Sequence, residues 1–111
     1  MGILDKKFKR EHFPVAGVEG VSVRPMKDSE TKRQQLLDTD ERKLYFALGL
    51  CMAENDGTPV FVKNAGELDE TFADRVQVGL DEAEFDLRLN GLVCIAIEKV
   101  TRVDVEALRK N

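Results

Sequence analysis

His12 is the only histidine in the 111 residues, and Cys51 and Cys94 are the only cysteines. Nucleophilic chemistry of the Ser-His-Asp or Cys-His kind would have to run through that one imidazole, and no GxSxG turn is present to hold a nucleophile. One His and two distant Cys do not supply the closely spaced ligand pairs that fix tetrahedral zinc. No GxxxxGK[ST] or GxGxxG loop is present to cradle a phosphate. Asp56-Gly57 lacks the alternating oxygen ligands of a calcium loop and reads better as a helix stop. The two cysteines lie in apolar surroundings and read as reduced, buried thiols that behave as small hydrophobes. A carboxylate-pair hydrolase needs two acids in one cleft. Here the acids fall on polar faces of amphipathic stretches, with no Trp and a single Tyr to form a platform. These residue types point away from an enzyme, a cofactor or a metal. They point toward a binding surface.

Charge narrows the partner. The formal net charge is −4, against nucleic acid as the main ligand. Residues 1–43 carry ten basic and eight acidic residues, whereas residues 44–111 carry seven basic and thirteen acidic. From Glu67 to Asp86 there are eight acids against the single base Arg75, which reads as a solvated helix face or as an acidic docking surface. The longest apolar run, Leu92 to Ile97, is six residues, far below the ~20 needed to span a bilayer. Met1–Phe13 carries Asp5, Lys6, Lys7, Lys9 and Arg10 where a secretory signal would have an apolar centre. No membrane and no export route is expected.

The elements that would position a surface follow from periodicity. Residues 1–12 read as a flexible basic arm, and residues 13–111 as a single domain. Val21 and Val23 alternate with Ser22 and Arg24, and Gly17 to Gly20 supply turn chemistry, which predicts a β-hairpin with Pro14 on an edge strand. Asp28 or Ser29 caps a first, mostly polar helix that runs to Leu36 and Leu37. Asp38-Thr-Asp-Glu41 opens a second, with Leu44, Tyr45, Leu48, Cys51 and Met52 at helical spacing, stopped at Asn55-Asp-Gly57. Val60-Phe-Val62 is extended, and Asn64-Ala-Gly66 is a turn. Leu68, Phe72, Val76 and Leu80 predict a third helix. From Asp81, Ala83, Leu87, Gly91 and Cys94 form one stripe, and Phe85, Leu89, Leu92 and Ala96 another, which predicts a helix apolar on two faces. Asn90-Gly91 followed by Val93–Ile97 competes as a turn and a strand. Thr101 caps a last short helix, residues 102–109. The class is α+β, mostly α: four to five helices with an N-terminal β-hairpin.

The order of these pieces resembles the tail assembly chaperones of long-tailed, siphovirus-type bacteriophages and prophages. The resemblance rests on the valine-rich hairpin running into Val23-Arg24-Pro25-Met26, the helix start Asp28-Ser29-Glu30 and the helix ending in Leu50-Cys51. It continues through Asn55-Asp-Gly-Thr-Pro-Val-Phe61, a helix with Leu80 and Phe85, and Leu89-Asn90-Gly91-Leu92. Thr101, Asp104-Val105-Glu106 and Lys110-Asn111 complete it, over about residues 20–111. In the family the segment matching Leu89–Leu92 leads quickly into the final helix, whereas Val93 to Val100 intervenes here. The resemblance implies a non-enzymatic protein of the host cytoplasm that coats the tape-measure protein while the tail tube is built and is absent from the mature virion. It also implies a longer form, made by ribosomal frameshifting, that recruits the major tail tube protein.

A chaperone for a long helical client needs an apolar stripe that accepts an amphipathic helix. Phe85, Leu89, Leu92 and Ala96 are the candidate protein-binding residues, for the client or for a homo-oligomer, with a buried core helix as the competing assignment. A neck or tail adaptor retained in the virion, and a small acidic antitoxin-like protein, are the alternative functions.

Overall fold

The computed structural model describes residues 11–109, with side chains through Arg102. The arm expected over residues 1–12 lies, up to residue 10, outside the described residues. Strands β1 (Phe13–Pro14) and β2 (Val21–Val23) pair antiparallel, Phe13 opposite Val23 and Pro14 opposite Ser22. Val15 N–H donates to the Val21 carbonyl at 3.1 Å, and Val15 and Val18 fold inward from the turn into the core. The hairpin is as the alternation predicts, with Pro14 on the sheet edge, where its missing N–H breaks no ladder.

Helix α1 (Asp28–Gln35) begins one residue earlier than a cap at Asp28 or Ser29 would require. Its N-cap is Lys27, whose N–H donates to Glu30 Oε1 at 2.8 Å, the return half of a capping box. Glu30 also takes a two-pronged hydrogen bond from Arg24, at 3.0 and 2.9 Å, so one carboxylate joins β2 to the start of α1. Thr39, not Asp38, caps α2 (Asp40–Cys51), accepting from the Arg42 N–H at 3.1 Å.

α2 stops at Cys51, four residues short of the expected Asn55. Met52–Glu54 forms β3, which completes a three-stranded antiparallel sheet in the order β1-β2-β3. Met52, Ala53 and Glu54 are good helix formers, so nothing local ends the helix. The ending is tertiary. Val23 faces Met52 and Ser22 faces Ala53 across the ladder, Arg24 N–H donates to the Cys51 carbonyl, and Ser22 Oγ donates to the Glu54 carbonyl. Gly57 therefore closes a strand turn and not a helix: at φ +90° its N–H donates to the Glu54 carbonyl, while Glu54 N–H donates to Thr58.

α3 (Asp69–Glu82) follows the predicted spacing from Phe72 onward, burying Phe72, Ala73, Val76 and Leu80 against α2, whereas Leu68 is its N-cap and exposed. Phe46 and Phe72 meet edge to face with centroids 6.4 Å apart. α3 ends in a Schellman motif: Glu84 N–H donates to the Asp81 carbonyl and Phe85 N–H to the Leu80 carbonyl. The left-handed position of that motif is held by Glu84, at φ 62°, and not by the usual glycine. The helix expected from Asp81 is thereby divided, and α4 spans Leu87–Arg109.

α4 settles two sequence ambiguities. Val93–Ile97 is helical, and no new helix begins at Thr101. Its hydroxyl oxygen accepts from the Met26 N–H at 3.0 Å, so it ties α4 to the β2–α1 link instead of capping anything. The architecture is four helices around a three-stranded sheet, α+β and mostly α. No helix among the described residues is long and apolar enough to cross a membrane.

Candidate functional site

α4 is a 23-residue helix whose sides differ in what they meet. Asp86 starts it, accepting from the Leu89 N–H at 2.9 Å through a carboxylate oxygen. Asn90, Val93 and Ile97 point into the core and are buried. Leu89, Leu92, Ala96 and Val100 flank that line, half-buried and packed against the core cluster. Leu92 reaches the hairpin turn, with its Cδ1 3.6 Å from where a side chain at Gly17 would begin.

The candidate residues read from the sequence thus divide. Leu89, Leu92 and Ala96 share α4 and form the shoulder between core and solvent. Phe85 lies before the helix, as the half-buried apolar residue that closes α3's end. The outward line is Leu87, Gly91 and Ile95, spaced four residues apart. Leu87 is 80% exposed and Ile95 62%. Around Gly91 nothing lies within 4 Å of the place a Cβ would occupy. Leu87 and Gly91 already belonged to the first apolar stripe of the sequence. Ile95 was readable by the same four-residue step, but it also fitted the competing strand.

Charge surrounds this line unevenly. Before it lie Asp81, Glu82, Glu84 and Asp86, all exposed. The only base of the acidic stretch is engaged elsewhere: Arg75 donates to Glu67 at 2.9 and 3.0 Å and to the Val62 carbonyl at 2.8 Å, and it stacks 5.3 Å over Phe72. Those bonds hold the Glu67 carboxyl down at about 2. Arg33 likewise holds Asp69 below the usual carboxylate range, and Arg42 bridges Asp38 and Asp74. Three of the eight acids of the stretch, Glu67, Asp69 and Asp74, are therefore held in internal ion pairs. The exposed remainder gathers at the α3–α4 turn.

Reactive groups are not gathered. His12 is half-buried and sits against the Gly57 turn, its Nδ1 3.5 Å from the place of a Cβ there. Cys51 is buried and Cys94 half-buried, neither is in a disulfide, and burial first, then Glu98, pushes the Cys94 thiol up. No group of three or more His, Cys, Asp or Glu among the described residues is placed to hold a metal ion. Behind α4, Asn90 Nδ2 donates to the Tyr45 hydroxyl at 3.5 Å, while its buried Oδ1 has no partner among the described residues. Burial pushes the Tyr45 phenol up, so it stays a neutral hydroxyl at that contact. Compared with known proteins, the chain matches no family model, no curated protein and no solved structure.

Proposed function

We propose that this chain is a phage tail assembly chaperone, a non-enzymatic protein that binds the tape-measure protein in the host cytoplasm while the tail tube is built. Two things support the reading. The first is the ordered run of short motifs over residues 20–111 that resembles this family. The second, which carries it physically, is the Leu87–Gly91–Ile95 line: two exposed apolar side chains on either side of a half-buried glycine, straight along a helix. A line of that kind accepts an amphipathic helix by its i, i+4 and i+8 positions. Leu89, Leu92 and Ala96 form its inner shoulder, and the charged residues around it keep the free protein dispersed. A longer frameshifted form would bring the major tail tube protein to the same complex.

Co-expression with the tape-measure protein of the same phage tests this. Wild type is expected to co-purify with the client, and Ile95→Asp to lose it with its helical circular dichroism unchanged. Ile95 is the better probe than Leu89 or Leu92, which also pack on the core. Mass spectrometry of purified virions separates the chaperone from a retained adaptor, which would be recovered in stoichiometric amount.

A further inference from the structure

The outer face of α4 carries an order of charge that matches its own reverse. Read along the face, Glu84 in the preceding turn and Arg88 come first, then the bare backbone of Gly91, then Ile95, then Glu98 and Arg102. At about 100° per residue, Leu87 and Ile95 lie about 40° to either side of Gly91, with Glu98, Arg102 and Arg88 within about 60°. Arg88, Glu98 and Arg102 are exposed, and none of them has an ion-pair partner among the described residues.

We infer that two copies of this chain pair through α4, antiparallel, about a two-fold axis level with Val93. That register sets Gly91 of each copy against Ile95 of the other, so the branched side chain fills the space the glycine leaves. It sets Arg88 against Glu98, twice by symmetry. The acidic α3–α4 turn of one copy then lies beside the basic end of the other's face, and the helix dipoles oppose. Parallel pairing would instead stack Glu98 on Glu98 and Arg88 on Arg88. Glycine inside a helix is destabilising against alanine, and close approach of a second backbone is the gain that a bare outer-face glycine makes available. The pairing covers the client's line when no client is present, but it stands without the client reading because it is measured on the purified chain alone.

Sedimentation velocity on the full chain tests it, with helical circular dichroism as the folding control. Wild type is expected to be a dimer at about 100 µM. Arg88→Glu or Glu98→Arg alone replaces two attractions by two repulsions and is expected to weaken dimerisation about tenfold. The double variant Arg88→Glu/Glu98→Arg restores opposite charges in the same register, so its dissociation constant should return to within about threefold of wild type. A wild-type monomer at that concentration, single variants that pair as wild type does, or a double variant no better than the singles would each overturn the pairing. A client that binds the monomer would leave the chaperone reading standing.

Discussion

Two glycines on two helices have opposite surroundings. Gly49 lies on α2, which is buried on nearly every side. A Cβ there would stand 2.5 Å from Val76 Cγ2 and 2.7 Å from the Phe72 ring. Gly91 lies on α4, which is covered on one side only, and a Cβ there would meet nothing. The first glycine lets two helices of the same chain close on each other. The second leaves a gap on a surface of the same shape with no neighbour filling it. One packing device, used internally at α2–α3 and left open on α4, is what separates the core of this protein from its exposed helix face.

Substitutions on each side should break that contrast differently. Phe72→Ala removes the ring that fills α2–α3 and should cost about 3–5 kcal/mol of unfolding free energy in urea titrations. Gly49→Ala forces Val76 and Phe72 apart and should cost about 1–3 kcal/mol by the same measurement. Glu84→Gly relieves the left-handed residue between α3 and α4 and should raise stability by about 1 kcal/mol, since glycine pays no Cβ penalty there. Gly91→Ala should leave the monomer unchanged or up to about 1 kcal/mol more stable. Equal losses at Gly49 and Gly91 would erase the distinction between the two helices. The last effect concerns a single proton. Arg75, and after it the Asn64 N–H, depress Glu67 from an ordinary 4.5 to about 2 in the folded state, so the contribution to stability is present above 4.5 and is lost as the pH falls toward 2. Arg75→Gln should raise the carboxyl's titration in a carbon-detected NMR experiment, while the Asn64 N–H still holds it below the ordinary range.

The legible parts of the fold are those that local chemistry decides. The alternation of Val21 and Val23, the start signal at Asp38-Thr-Asp-Glu41 and the four-residue spacing from Phe72 to Leu80 each name their element without outside help. Three features were hidden because distant or context-dependent contacts decide them. Met52–Glu54 is strand because β2 has an open edge to fill, although its residues favour helix. Glu84 takes the conformation expected of glycine, so the end of α3 carries no glycine signal. Thr101 resembles a cap, yet its oxygen serves Met26, seventy-five positions earlier. At the candidate site the sequence marked two apolar stripes and favoured Phe85, Leu89, Leu92 and Ala96, of which Phe85 lies before α4. Which stripe meets the core depends on where the hairpin and α2 sit. The outward line takes Leu87 and Gly91 from the first stripe but continues to Ile95 in place of half-buried Cys94.

Calorimetric titration of a purified helical tape-measure segment into the wild-type chain and into Leu87→Asp/Ile95→Asp, at several temperatures, bears most directly on the role of that outward line. Binding to wild type with a negative heat-capacity change, and loss of binding in the doubly substituted chain, is the result expected of apolar burial on α4. Binding of unchanged affinity by the substituted chain would contradict the account.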